Sequence, residues 1–313
     1  MSDADRPGAD IRTVRSVAVV TNPSSGQGKA REAAATVVQL LAAADIDVLE
    51  IHEPSAAGTR RRVGEVLAGD APDVVVCAGG DGLVNTILEP LAHSGIPLAL
   101  VPAGTGNDLA RELGIGDDPR PAADLIRHGR VRTIDLGRLE PADHEPMWFA
   151  TVTCTGFDAR VTLRANRMRY PRGRLRYTFA AVAEIAHGIA VPYRIELDGG
   201  DHPDTVIETE ALLAAVGNTT TYGGGMLICP DARCDDGLLD LTVVGKVSHA
   251  EMLRILPALS AGKRIEHPAV SQYRARSLSL RAPGAPATAD GEPAGRLPLT
   301  ARVEPAALTV LIP

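Results

Sequence analysis

The sequence predicts an α/β protein in two parts. A doubly wound parallel sheet occupies residues 1–130, and a mainly antiparallel, sandwich-like β-domain occupies residues 131–313. Three observations carry this. Apolar β-branched runs alternate with stretches of helical spacing through the first 130 residues, in the order βαβαβαβα with short loops. Two of the strand-to-helix junctions are rich in glycine. Near residues 129–133 the alternation stops, and strand-like runs then dominate to the C-terminus.

Residues 16–21 read as the first strand. Asn22-Pro23-Ser24-Ser25-Gly26-Gln27-Gly28-Lys29 is a glycine-containing loop, and a helix follows to about residue 44. Ala30, Ala33, Ala34, Val37, Val38 and Leu41 have the spacing of one helical face. The loop is not a Walker phosphate loop, because Ala30 rather than Ser or Thr follows Lys29 and the spacing differs. Residues 47–52 form a second strand ending at His52, and 59–68 a helix. Val74-Val75-Val76 has the character of a buried parallel strand. It runs into Cys77-Ala78-Gly79-Gly80-Asp81-Gly82-Leu83-Val84-Asn85, and Val84, Ile87, Leu88 and Leu91 line one face of the next helix. A fourth strand, 97–101, runs into Pro102-Ala103-Gly104-Thr105-Gly106-Asn107-Asp108-Leu109-Ala110. Helices at 107–113 and 121–127 close the first part.

Glycine at such turns allows positive φ and lets a ligand approach the backbone. Amides at a helix start, with the helix dipole, suit a phosphate. Asp81 among those amides would repel an anion unless a cation or an abstractable proton lies between them. That points to a nucleoside phosphate with Mg²⁺; the alternative is a tight turn with a capping aspartate. The second turn adds Thr105 and Asn107 as hydrogen-bonding side chains. Two such turns after adjacent strands would meet at the C-terminal edge of one sheet, where open α/β folds bind ligands.

In the second part, strands are expected at 133–139, 148–154, 193–197, 208–216, 239–244, 273–280 and 308–312, with helices at 177–187 and 248–260. Residues 282–289 read as a loop. Pro230 to Asp240 contains consecutive carboxylates beside Gly237. With free carbonyls these are oxygen ligands for Mg²⁺; the alternative is a polar hairpin with solvated aspartates. Ala289-Asp290-Gly291-Glu292-Pro293 is, by itself, a commonplace turn. From Arg160 to Arg176 the chain carries seven arginines and no acid, interleaved with Val161, Leu163, Met168, Tyr170 and Leu175. One reading is a solvated loop whose arginines pair with carboxylates elsewhere. The other is peripheral contact with an anionic membrane surface, where each cation contributes roughly 1 kcal/mol. Pro171 and Gly173 interrupt any continuous helix, so a loop flanked by a short helix is expected.

The Gly79-Gly80-Asp81-Gly82 turn with Asn85, followed by the P-x-GT-x-ND-x-A segment at 102–110, closely resembles the lipid kinase family that includes diacylglycerol and sphingosine kinases, in its bacterial soluble form. The resemblance implies ATP-dependent transfer of the γ-phosphate to a lipid hydroxyl, with diacylglycerol as the first choice of acceptor. The alternatives are a sphingoid-base or other lipid kinase, an NAD or sugar kinase of the wider superfamily, and a non-catalytic nucleotide- or lipid-binding protein. ATP and Mg²⁺ are the implied cofactors. ATP contacts are implied for Asn22, Gly26 and Gly28, for Gly79, Gly80, Asp81, Gly82, Leu83, Val84 and Asn85, and for Gly104 and Thr105. Asp81 would act through Mg²⁺ or near the acceptor hydroxyl. Leu83 departs from the commoner threonine, and His52 stands where relatives often carry a threonine. In bacterial members a D-G-x-L segment holds a metal. Asp236 and Leu238 match it, and Arg233 falls at the remaining ligand position, through its carbonyl. The D-G-E segment implies Asp290 or Glu292 as the base that takes the proton from the lipid hydroxyl. Asn218 to Gly225 matches the family's N-x-x-x-x-G-G-G loop.

Composition bounds the rest. The chain has 313 residues, 45% hydrophobic and 23% charged, enough for two cores. A net charge of −7 argues against a nucleic-acid binder, and the scarcity of aromatics against a base-stacking platform. The first ten residues are polar with no signal-peptide core, and no apolar run reaches transmembrane length. A cytoplasmic location is expected, with a lipid substrate as partner; a homodimer is left open. Cys77, Cys154, Cys229 and Cys234 form no C-x-x-C pair and read as core thiols.

Overall fold

A computed structural model of the chain describes residues 9–11, 13–22, 28–168, 170, 175–185, 190–201, 203–248, 251 and 261–313. It divides into two compact units, residues 1–134 with 306–313, and residues 135–305.

The first unit is built on a parallel sheet. Its strands lie in the order Asp47–His52, Ser16–Thr21, Val74–Gly79, Leu98–Pro102, followed by the end of Leu299–Ile312. Register pairs include Val19 with Val76 and Cys77 with Leu100. Val74, Val75 and Val76 are fully buried, as their unbroken apolar run requires. Val17, Val19, Val76 and Ala99 pack with Val37 and Leu41 of the helix Lys29–Ala42 and Ile126 of Pro119–His128. The helices Ala56–Ala68 and Asp81–Leu91 pack against each other. The first of these starts three residues before the expected position because Ser55 caps it, its Oγ accepting from the Gly58 amide at 3.1 Å. The strand order reverses between Ser16–Thr21 and Val74–Gly79. This is the crevice where doubly wound sheets bind ligands, and Asn22 and the Gly79–Gly82 turn both leave the sheet there.

The last eight residues were expected in the second domain from their place in the chain. They belong to the first unit instead. Val310 pairs in parallel with Leu98, the His93 amide donates to the Ala307 carbonyl at 2.7 Å, and Leu308 and Leu311 are fully buried. An apolar run fits either core; the open edge beside Leu98–Pro102 decides.

The second unit is mainly antiparallel. Thr205–Gly217 pairs with Val191–Asp198, Val152–Gly156 and Leu239–Gly245, through register pairs such as Ile207 with Ile195 and Ala215 with Cys154. One core holds Phe149, Ile195, Val216, Leu241, Leu278 and Leu280. The other holds Cys154, Phe157, Val161, Leu213 and Ala215. Neighbouring residues of one strand thus serve opposite faces, the period of two that a pleat imposes.

Several local expectations change. The run 273–280 is two strands, Val270–Ala275 and Ser277–Arg281, which pair with Leu239–Gly245 and Val191–Asp198 respectively. The 282–289 stretch is not all loop. Pro286–Ala289 is a strand between Val152–Gly156 and Glu292–Arg296, and a proline, two alanines and a single threonine give little strand signal in sequence. The arginine-rich segment opens as a helix, Phe157–Arg167, and Leu175–Ile185 is a second. The helix expected at 248–260 lies almost wholly outside the described residues. All four cysteines are free and buried. Among the described residues no helix is long and apolar enough to cross a membrane.

If the C-terminal return is structural, Leu311→Ala should destabilise the protein by about 2–5 kcal/mol, the range for a fully buried leucine. Urea unfolding measures this; a loss near zero, as for a fraying end, would refute it.

Candidate functional site

The glycine turns of the first unit touch backbone to backbone. A Cβ on Gly104 would stand 2.5 Å from the Gly80 Cα and 2.8 Å from Asn107 Oδ1, and one on Gly80 would stand 2.9 Å from the Gly104 Cα. Only glycine at both positions permits this approach. The contact is fastened by Asp81. Its Oδ2 accepts from the Asn107 amide at 2.7 Å and its Oδ1 from the Asp108 amide at 2.8 Å. Asn107 sits in the left-handed region at φ 56°. Its Oδ1 accepts from the Gly104 amide at 3.0 Å, and its Nδ2 donates to the Gly104 carbonyl at 3.2 Å. Arg111 completes the loop, donating to Asp108 and to the Gly106 carbonyl.

The expected phosphate-side residues therefore fall into distinct roles. Gly79, Gly80 and Gly104 keep side chains out of the turn, and Gly104 and Thr105 are exposed. Gly82 and Asn85 are partly exposed at the helix start. Leu83 and Val84 are buried, and their amides bond the Gly80 carbonyl at 2.9 and 3.2 Å, so both serve the turn's packing. The leucine in place of threonine closes over Gly79, where a Cβ would meet its Cδ2 at 2.8 Å. Asn22 and Gly28 bracket the first loop, Gly28 at φ 94°; Gly26 lies outside the described residues. His52 is engaged by the Thr21 hydroxyl at 2.5 Å and by Glu50 at 3.1 Å.

In the second unit, Asp290 and Gly291 form the tip of a hairpin, both at positive φ. The Asp290 carboxylate accepts from residues 150 and 151. Oδ2 accepts from the Ala150 amide at 3.0 Å, and Oδ1 accepts from the Thr151 amide at 2.8 Å and the Thr151 hydroxyl at 2.6 Å. Asn166 Nδ2 donates to the Gly291 carbonyl at 3.0 Å. Glu292 keeps its side chain exposed, yet chain packed around its carboxyl, and then the Asp290 charge, raise its pKa. Water screens such a group, so the effect on stability is modest.

The Asp236 turn carries its own cation. Arg274 Nη2 donates to Asp236 Oδ2, and the Leu238 amide donates to Oδ1 at 3.1 Å. Arg274 Nε lies 3.5 Å from Asp240 Oδ2, and Asp135 Oδ2 accepts from the Gly237 amide at 2.7 Å. Burial pushes Asp240 up to about 6 against the pull of Arg274, and raises Asp236 likewise. Arg233 Nε lies 3.8 Å from Asp235 Oδ1. Among the described residues no three His, Cys, Asp or Glu side chains assemble as a metal set. Asp201 Oδ2 also lies 4.0 Å from Arg274 Nη1, so Asp201, Asp236 and Asp240 face one guanidinium.

Sequence reasoning singled out Asp81 and Asp290 but not their partners. The donors to Asp290 include two backbone amides of residues about 140 positions away, and Arg274 lies 38 positions from Asp236. No spacing announces either.

A sheet with two glycine turns at its switch point, joined in sequence to an antiparallel unit presenting a D-G-E hairpin, defines a class of two-part kinases. Residues 16–139 match the diacylglycerol kinase catalytic domain, and residues 151–312 match the YegS C-terminal NAD kinase beta sandwich-like domain. The chain is 43% identical over 298 residues to a diacylglycerol kinase of Mycobacterium tuberculosis, covering 95% of each chain. It is 30% identical over 230 residues to a diacylglycerol kinase of Staphylococcus saprophyticus, covering 72% of each. A crystal structure of a diacylglycerol kinase from Bacillus anthracis shares the fold, with a TM-score of 0.71 at 22% identity over 96% of this chain and 98% of that one. The chain belongs to the diacylglycerol kinase-like family and is a lipid kinase.

Gly104→Ala should cost about 1–3 kcal/mol, because the backbone of both turns must move; an unchanged urea midpoint would show that they do not touch. Glu292→Gln should raise the melting temperature slightly at pH 8. The ionised carboxylate opposes folding above its raised pKa, and this penalty fades as pH falls into the ordinary glutamate range. A lower melting temperature for the variant at pH 8 would contradict that sign.

Proposed function

We propose that this lipid kinase transfers the γ-phosphate of ATP to the hydroxyl of diacylglycerol and yields phosphatidic acid. The observation that carries the acceptor is the 43% identity, over 95% of both chains, to a relative named as a diacylglycerol kinase. The glycine turns support the donor. Gly79, Gly80, Gly82 and Asn85, with Gly104 and Thr105, would hold the ATP phosphates, and Asn22 and Gly28 would flank them. Asp81 would keep the two turns in register and face the Mg²⁺ that neutralises phosphate charge. Asp236, with the Leu238 and Arg233 carbonyls, would take a second Mg²⁺ beside Arg274.

An alcohol is a poor nucleophile until its proton leaves. Asp290 or Glu292 would accept that proton as the lipid oxygen bonds to the γ-phosphorus. The bridging P–O bond breaks and ADP departs with its electron pair. Asp290 accepts three hydrogen bonds from residues 150 and 151, and Glu292 holds its proton more readily; both suit the role.

Peripheral contact with an anionic bilayer would bring the enzyme to its acceptor. Arg160 and Arg164 take no part, since both reach the buried Glu184, at 3.3 and 2.5 Å. Arg167 is exposed, as are Tyr170 at 73% and Phe179 at 59%. Arg169, Arg172 and Arg174 lie outside the described residues.

Radiolabelled phosphate transfer from ATP, screened over diacylglycerol, sphingosine, polyprenol and NAD, should label diacylglycerol; label only on another acceptor would replace this reading. Of Asp290→Asn and Glu292→Gln, at least one should lower kcat by about two to four orders of magnitude. Near-normal turnover in both would remove the D-G-E carboxylates from the chemistry. Binding to anionic vesicles should weaken with salt and fall when Arg169, Arg172 and Arg174 are all changed to Gln; equal sedimentation of both proteins at low salt would rule the surface out.

A further inference from the structure

We infer that Thr151 is a positioning residue for the Asp290 carboxylate, and that Asn218 is the brace that makes it one. The inference rests on the reading that Asp290 works at the reacting end of the lipid hydroxyl.

The Ala150–Thr151 peptide is gripped on both sides. Its carbonyl, on Ala150, accepts from Asn218 Nδ2 at 2.9 Å. Its amide, on Thr151, donates to Asp290 Oδ1 at 2.8 Å. The next carbonyl, on Thr151, accepts from the Asn218 amide at 2.8 Å. The Asn218 side chain donates once more, to the Asp135 carbonyl at 2.9 Å. Both Nδ2 partners are carbonyl oxygens, which fixes the orientation of the amide. Thus Asn218 ties residues 135, 150 and 151 together, and the peptide it holds points its amide at Asp290. Thr151 adds its hydroxyl to the same carboxylate oxygen, at 2.6 Å.

Burial separates this arrangement from an incidental surface contact. Asn218 has no exposed surface, and Thr151 is 4% exposed. Asn218 Oδ1 is buried with no hydrogen-bond donor among the described residues. Stability alone disfavours an orphaned buried acceptor. The asparagine is explained by its donors, since a short side chain with two N–H groups is what the two carbonyls require. Asp290 itself stands at φ 49° on a hairpin tip. Three donors from the 150–151 segment therefore orient a half-buried carboxylate at the hairpin tip.

The test is a kinetic cycle on the full chain, with labelled phosphate transfer to diacylglycerol in mixed micelles. Thr151→Ala should lower kcat about 10–100-fold, the scale of a misplaced catalytic group, with KM for ATP unchanged within about twofold. Thr151→Ser, which restores the hydroxyl, should recover most of the loss. In the Asp290→Ala background, Thr151→Ala should have little further effect, because both changes act through one carboxylate. Asn218→Ala should show the same fall in kcat at constant KM for ATP. Full activity of Thr151→Ala beside an inactive Asp290→Ala would overturn this inference and leave the reading of Asp290 intact. Additive losses in the double variant would also overturn it, since Thr151 would then act elsewhere. Full activity of Asp290→Ala would instead remove the reading on which the inference rests.

Discussion

The first unit depends on one carboxylate. Asp81 accepts the amides of Asn107 and Asp108, which belong to the turn after the neighbouring strand. The two glycine-rich loops are also joined by the Ala103 amide, which donates to the Gly79 carbonyl at 2.9 Å, and by the close approach of Gly80 and Gly104. A glycine loses more conformational freedom on folding than any other residue. A charge-assisted pair of hydrogen bonds can offset that cost at a place where side-chain packing is excluded. Backbones kept clear of side chains are thus fastened to each other by an aspartate.

The second unit repeats the device. Asp290 stands on a hairpin tip and is oriented by amides and a hydroxyl from residues 150 and 151. In both units an acid is an acceptor for backbone donors from a distant segment. The position of each carboxylate is then supplied by one set of contacts. Preorganised donors of this kind cost no reorganisation when charge moves.

The acidic turn around Asp236 shows a different balance. Arg274 stands opposite Asp240 in the strand ladder and reaches Asp236 as well. One guanidinium among several carboxylates leaves Asp240 raised by burial. The turn thus gathers several carboxylates around one guanidinium.

Much was legible in the sequence, for a local reason. The parallel strands are unbroken apolar runs, their helices have a 3.6-residue period, and the glycine turns sit where the two patterns join. The D-G-E and D-G-x-L segments were visible as residue types. Their roles were not, because a turn is defined by its neighbours in space. The tertiary structure alone decided that residues 306–313 return to the first sheet, that Pro286–Ala289 is a strand, and that Arg160 and Arg164 serve Glu184. It alone decided that Arg274 answers Asp236 and that Ala150 and Thr151 answer Asp290. Backbone amides are identical at every residue but proline. Which of them meets a given carboxylate therefore depends on long-range packing and leaves no trace in local sequence.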